Sequence, residues 1–440
     1  MTLSRAAFPP DFRFGAATAA YQIEGTHLGT CGRSHWDKFA AEGGTFNNEN
    51  GDIACAHYDL WPQDLDLVKQ AGFDVYRFSI AWPRIQPEGS GKPLAEGLDF
   101  YDRLVDGMLE RGLEPFATLY HWDLPLTLAE KGGWLNRDTA LRFADYTAHV
   151  CERFGDRLKS VATINEPWCV AWLSHFEGAH APGIKDLSAA AKAMHNILVA
   201  HAQSMKVMRE LNQQNLGIVL NMEYSNPASD SEADRHAAQI HDGIYNRWFV
   251  EALSKGRYPT DIIEYLGPHM PEGWQDDMAD ISAPLDWLGI NYYTRSNRAD
   301  DGTGVFPFGK AVAGPLPKSS MGWETYPEGL EFHLKRTQAD YTGDLPIFVT
   351  ENGTARRDKL TDGGVDDPGR CDYFRQHLEA VRRALADGVP VKGYIAWSLL
   401  DNFEWAFGYN ERFGLIHVDY KTQERTPKTS YHMFRQLLEA

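Results

Sequence analysis

Two short stretches carry groups that could do chemistry. The first is Val349-Thr350-Glu351-Asn352-Gly353, entered from the uncharged run Leu345-Pro346-Ile347-Phe348. The pattern reads as a buried parallel strand whose C-terminal end opens into a site. A carboxylate there is costly to bury unless something pairs with it or uses it. A salt-bridged strand end, or the N-cap region of a following helix, would also account for it. The second stretch, Ser160-Val161-Ala162-Thr163-Ile164-Asn165-Glu166-Pro167, has the same form: apolar strand, Asn-Glu, breaker. Two strand-end glutamates, each beside an asparagine, are the raw material of glycoside hydrolysis, one as acid/base and one as nucleophile.

Such residues must be brought together by the elements that carry them. Eight short apolar or aromatic strands are expected: Phe12 to Ala17, Val75 to Ser79, Pro115 to Leu119, Val161 to Ile164, Gly217 to Asn221, Leu285 to Ile290, the stretch ending at Glu351, and Gly393 to Ser398. Between them lie amphipathic stretches: Tyr58 to Ala71, Leu98 to Arg111, Arg137 to Arg153, Ser188 to Leu211 and Asp372 to Ala386. Strands alternating with helices predict a parallel sheet. Eight such units predict an α/β fold of one class, a single (β/α)8 barrel with extended βα loops over residues 1–440. An open doubly wound sheet is the alternative, but no GxGxxG follows the first strand. Loop-like composition at Asp300 to Gly304 and Ala311 to Ser320 reads as one long loop after the sixth strand.

The balance of 61 acids against 43 bases gives a net charge of −18. This argues against nucleic acid and anionic membrane as partners, both of which need a basic surface. With 13 Trp, 19 Tyr and 22 Phe the chain is rich in rings. Stacking on sugar faces is one outlet for them and a ring-rich core is the other. Cys31, Cys55, Cys151, Cys169 and Cys371 form an odd, scattered set, expected to be reduced thiols in a cytoplasmic protein. No secretory h-region and no apolar run long enough for a membrane span is visible. Asn352-Gly353-Thr354 matches a glycosylation sequon and is read as a chance match. The histidines lack HExxH, and His195/His201 and His236/His241 lack ligand spacing, so no metal is expected. No GxSxG and no Walker loop occurs.

Taken together, four motifs resemble the family 1 glycoside hydrolases, specifically the bacterial β-glucosidases. They are Phe12-Arg13-Phe14-Gly15 with Ala19 to Gly25, Thr163 to Pro167, Val349 to Gly353, and Asp401-Asn402-Phe403-Glu404-Trp405. The resemblance runs nearly end to end. It implies a retaining hydrolase with no cofactor or metal, acting on β-glucosides and cello-oligosaccharides, with galactosides and fucosides as further candidates and a homo-oligomer as one possible assembly. It assigns attack to Glu351 and acid/base work to Glu166. Arg77 and Tyr293 are implied as the groups that keep Glu351 ionised. Gln22, His121, Trp122, Asn165, Asn291, Tyr293, Trp397, Glu404, Trp405 and Phe413 are implied around the sugar. Trp168, Trp172, His180 and Trp323 are candidates for the leaving-group side, where Cys169 and Leu173 also fall.

Two other functions compete. A 6-phospho-β-glucosidase of the family would place serine, lysine and tyrosine in the loop that here holds Glu404. Lys421 and Lys428 follow it, but in a polar stretch expected to face solvent. A non-catalytic sugar-binding barrel would have lost a carboxylate, and both remain. A thioglucosidase would carry glutamine in place of Glu166.

Overall fold

The computed structural model describes residues 3–302 and 304–439. Eight parallel strands close into a barrel: β1 (Arg13–Ala17), β2 (Val75–Ser79), β3 (Glu114–Tyr120), β4 (Ser160–Asn165), β5 (Leu216–Pro227), β6 (Trp287–Ala299), β7 (Ile347–Asn352) and β8 (Val391–Trp397). Each pairs with the next in chain order, and β8 pairs with β1. Strands covered on both faces need no polar alternation, and every residue of β2 and β4 is buried. The pleats come close enough to require glycine at Gly15, where a side chain would press on the Val75 carbonyl 2.7 Å away.

The five expected helices form with small shifts of their ends, at His57–Gln70, Ala95–Glu110, Asp138–Phe154, Leu187–Glu210 and Pro368–Ala386. The fourth starts where Asp186 accepts the Ala189 N–H at 2.7 Å. The fifth starts four residues early because Pro368 suits the first turn of a helix. The barrel thus follows the expected order.

Two expectations are corrected. β5 and β6 run past Asn221 and Ile290 as a paired arm above the rim. The loop expected from Ala311 is partly strand: Lys310–Val312 pairs antiparallel with Asn297 to Ala299. Thr303, in the same expected loop, lies outside the described residues. Shorter helices also fill the segment after β5, among them Glu232–Asp242, Trp248–Lys255 and Thr260–Leu266. Glu232–Asp242 starts where Ser231 caps it by accepting the Asp234 N–H at 3.1 Å.

Parallel pairing is regular at the N-terminal ends of most strands and slips near the C-terminal rim. β4 carries an extra residue between Ala162 and Asn165, β6 between Tyr292 and Arg295, and β7 between Val349 and Glu351. Bulges re-aim side chains, and these three lie on the strands that carry Glu166, Tyr293 and Glu351. All five thiols are free. Among the described residues no helix is long and apolar enough to cross a membrane.

Candidate active site

Glu166 and Glu351 face one cavity of about 500 Å³ at the C-terminal rim. That rim is where a barrel collects the ends of all its strands. Both carboxylates are buried, Glu166 at 5 % exposure and Glu351 at 3 %. Their surroundings differ. Glu351 Oε1 accepts from the Arg77 guanidinium, and Oε2 accepts the Tyr293 hydroxyl at 2.5 Å. Among the described residues no such cation contacts Glu166. Its Oε1 accepts from Asn291 Nδ2 at 2.7 Å and its Oε2 from the Cys169 thiol at 3.2 Å. Burial, then the charge of Glu351, lifts Glu166 to about 8. Burial also pushes Glu351 above its ordinary value, but Arg77 and Tyr293 oppose it there. In a coupled pair of this kind the shared proton resides on Glu166.

An amide network sets these contacts. Thr350 donates to Asn291 Oδ1 at 2.7 Å, which turns the Asn291 NH₂ toward Glu166 and toward Asn165 Oδ1 at 3.1 Å. Arg77 donates a second nitrogen to Asn165 Oδ1 at 2.7 Å. Asn165 in turn donates to His121 Nε2 at 3.2 Å, so His121 carries its proton on Nδ1. Burial and the nearby Arg77 keep that ring neutral. Gly353 follows from packing: any side chain there would overlap the Trp397 carbonyl oxygen.

Several buried polar atoms have no partner among the described residues: Gln22 Oε1, His121 Nδ1, Glu404 Oε2 and Trp168 Nε1. Buried polar groups are normally satisfied, so the three of these that belong to the cavity lining, on His121, Trp168 and Glu404, mark a place for polar ligand atoms. Trp122 (φ 77°), Glu166 (φ 50°) and Trp405 (φ 51°) are left-handed and line the same cavity. Such backbone costs on the order of 1–3 kcal/mol per residue and persists where surrounding structure enforces it.

Of the residues singled out from sequence, His121, Trp122, Trp168, Cys169, Leu173, His180, Tyr293, Trp323, Trp397, Glu404, Trp405 and Phe413 line this cavity with the two glutamates. Arg77, Asn165 and Asn291 stand directly behind the carboxylates. Gln22 is held from behind, donating to Asn402 Oδ1 at 3.0 Å and to the Phe403 carbonyl at 2.8 Å. Trp172 is not on the wall. It is fully buried against Phe176 and Phe306, within the π-helical segment Cys169–Leu173.

Lys428 is also corrected. It does not face solvent but is fully buried, donating to Asp401 Oδ1 at 2.6 Å and to Asp358. Asp401 closes the loop that carries Glu404 and Phe413 by accepting the Gly414 N–H at 3.0 Å. The sequon asparagine, Asn352, is fully buried and donates to the Tyr292 carbonyl at 2.5 Å. Sequence reading missed Thr350, and it missed the outer wall formed by Asn221, Glu223, His241 and Arg298. Asn221-Met222-Glu223 carries the signal that exposed the other two sites, an amide and an acid just past an apolar strand.

Residues 4–440 match the model of glycosyl hydrolase family 1. The chain belongs to that family. Family 1 members are glycoside hydrolases, and so is this chain. It is 48% identical over 433 residues to a "Beta-glucosidase" of Agrobacterium sp., covering 97% of this chain and 94% of the relative. It is 45% identical over 436 residues to a "1,4-beta-D-glucan glucohydrolase" of Thermotoga neapolitana, covering 98% of each. The solved family 1 b-glucosidase from Thermotoga maritima superposes with a TM-score of 0.96 at 42% identity, covering 100% of this chain and 99% of that one.

Proposed function

We propose that this family 1 enzyme is a retaining exo-β-glucosidase that removes terminal β-D-glucosyl residues through a covalent glycosyl-enzyme. The observation that carries the reading is the asymmetry of the two buried carboxyls. Glu351 is held by a guanidinium and a phenol, while Glu166, held by an amide and a thiol, is raised to about 8. Glu351, charged and aimed by Arg77 and Tyr293, attacks the anomeric carbon. Glu166 gives its proton to the departing oxygen. As the sugar bonds to Glu351 that charge is lost, and Glu166, now a carboxylate, takes a proton from the water that releases the sugar.

Gln22, His121, Trp122, Asn165, Asn291, Trp397, Glu404, Trp405 and Phe413 read the glucosyl ring. His121 Nδ1 donates, while Gln22 Oε1 and Glu404 Oε2 accept, which matches hydroxyls that both give and take. Trp168, His180 and Trp323 bound the leaving group. The relatives named β-glucosidase support glucose as the sugar. We extend the reading to one catalytic domain over residues 1–440, to β-glucosides and cello-oligosaccharides as substrates, and to a cytoplasmic setting without membrane or nucleic-acid partners. The acidic balance of the chain supports the last point.

The test is a ¹H NMR time course of hydrolysis of 4-nitrophenyl β-glucoside. β-Glucose is expected first, with the α-anomer appearing only by mutarotation. α-Glucose as the first product would overturn the retaining mechanism, and no hydrolysis would overturn the reaction.

A further inference from the structure

We infer that Glu411 is a positioning residue: by accepting the Ser320 hydroxyl it joins the segments that follow β6 and β8, holds Tyr293 between Trp323 and Phe413, and so keeps the Tyr293 hydroxyl on Glu351. The inference rests on the reaction proposed above, in which Glu351 attacks.

Glu411 is 4 % exposed, and among the described residues no cation pairs with it. Its Oε2 accepts the Ser320 hydroxyl, and its Oε1 accepts from Asn410 Nδ2 at 3.2 Å. A carboxylate buried on neutral donors is costly, so its contact with a segment 91 residues away calls for a use.

The junction is wider than one hydrogen bond. The Ser320 N–H donates to the Ala355 carbonyl at 3.1 Å, and the Arg356 N–H donates to the Arg412 carbonyl at 3.0 Å. The segments after β6, β7 and β8 therefore meet at one point. Ser320 belongs to a closed turn: the Ser319 N–H donates to the Trp323 carbonyl at 2.8 Å, and the Trp323 N–H donates to Ser319 Oγ at 3.2 Å. Fixing Ser320 thus fixes Trp323. On the other side, Phe413 stands two residues after Glu411. The Trp323 ring lies 5.6 Å from that of Tyr293 and 6.1 Å from that of Phe413, and the Tyr293 and Phe413 rings are 5.9 Å apart. Tyr293 has two aromatic neighbours, and the Glu411–Ser320 hydrogen bond joins the segments that carry them. From that place its hydroxyl donates to Glu351 Oε2 at 2.5 Å.

This hydrogen bond gives the tie a readout. Charged and titratable groups act on Glu351 from several elements: Arg77 on β2, Tyr293 on β6, and the coupled carboxyls Glu166 at the end of β4 and Glu404 after β8. Arg77 and Tyr293 pull Glu351 down against burial. A hydroxyl that drifts off Glu351 lets it rise, and the acid limb of kcat/KM, which reports Glu351 in the free enzyme, rises with it. A residue that merely stabilised the fold would lower the amount of enzyme and leave that limb in place.

The experiment measures kcat/KM for 4-nitrophenyl β-glucoside against pH in the native enzyme, Glu411→Ala, Glu411→Gln and Ser320→Ala, and in Tyr293→Phe with and without Ser320→Ala. Glu411→Ala and Ser320→Ala are expected to lose about tenfold, with the acid limb moved up by about 0.5–1 unit. Ser320 is small and half-buried, so its variant tests the tie even where Glu411→Ala disturbs folding. Glu411→Gln keeps an oxygen for the Ser320 hydroxyl and is expected to recover most of the loss. Once Tyr293→Phe has removed the hydroxyl, Ser320→Ala should change the rate by less than about twofold and leave the limb where it is. An acid limb that stays put in both Glu411→Ala and Ser320→Ala would overturn the inference. So would a Ser320→Ala loss as large in the Tyr293→Phe enzyme as in the native one. A native enzyme that does not hydrolyse the glucoside refutes the reaction itself, a result distinct from an unmoved limb.

Discussion

Cys169 donates its thiol to Glu166 Oε2 at 3.2 Å, opposite the oxygen that takes the Asn291 amide. Burial, then Glu351, lifts Glu166 to about 8, while the Asn291 and Cys169 hydrogen bonds pull it down. Removing the thiol removes one of the two. In Cys169→Ala the alkaline limb of the kcat/KM profile, which reports proton loss from Glu166 in the free enzyme, is expected to move up by about 0.5–1 unit. Cys169→Ser supplies a stronger donor, and its limb is expected to move down. An alkaline limb that stays put in both variants would show that the thiol does not act on Glu166.

The two glutamates should fail differently. Glu351→Gln removes the attacking charge and strands Arg77 in a buried site, and kcat is expected to fall by roughly four orders of magnitude or more. A 2-fluoro glucoside should label Glu351 in the native enzyme, and a label mapped to another residue would refute the assignment. Glu166→Ala should lose about 10²–10⁴-fold on poor leaving groups and far less on 2,4-dinitrophenyl glucoside, which needs no proton. Azide should restore its turnover and yield the β-glycosyl azide. An α-azide would contradict the assigned roles.

The legible parts of this chain were those where local pattern and tertiary position agree. Gly217 to Asn221 and Ile347 to Asn352 are apolar runs ended by polar groups, and the barrel order follows from such runs alternating with helices. What the pattern hides are residues whose place depends on distant partners. Lys428 sits in a polar stretch, yet Asp358 and Asp401, far apart in sequence, draw it inside. Trp172 keeps helical spacing from Trp168, yet it packs against Phe176 and the distant Phe306, and not into the cavity. Glu223 lies beyond the expected end of its strand, and only the long β5–β6 arm brings it to the cavity.

Lys428 gives a stability prediction. Burial alone would raise Asp401, but Lys428, Arg412 and Arg370 outweigh it and hold Asp401 below its ordinary value. The stability this contributes is present above the unfolded carboxylate range and is lost as pH falls through the lower folded value. Lys428→Met is expected to cost about 3–5 kcal/mol, because it leaves buried carboxylates short of a partner. Urea unfolding at pH 7 measures the loss, and the gap from native should narrow as the pH approaches 3. The KM for glucosides should rise as well, since Asp401 braces the Glu404 loop. An unfolding midpoint equal to the native one at pH 7 would refute the account.

The enzyme should reject 6-phosphorylated glucosides, and Glu404 is the reason. Burial raises its carboxyl to about 8, with Glu351, Glu166 and Glu411 adding to the shift, and its Oε2 has no partner among the described residues. That oxygen suits the 4- and 6-hydroxyls of glucose. A 6-phosphate would bring about −1.5 to −2 charges beside it. Once Glu404 is ionised, above about pH 8, like charges near 4 Å cost about 4 kcal/mol at an effective dielectric of 20. The lysine that could have answered a phosphate, Lys428, is committed to Asp358 and Asp401. Paired kcat/KM values for 4-nitrophenyl β-glucoside and its 6-phosphate are expected to favour the neutral sugar by about 10²-fold or more at pH 9, where Glu404 is ionised, and by less at pH 7, where it is largely protonated. Glu404→Gln keeps the acceptor oxygen and removes the charge, so it should narrow that gap chiefly by raising the rate on the phosphate. A native enzyme that prefers the phosphorylated substrate would refute this account of Glu404 and identify a phospho-β-glucosidase instead.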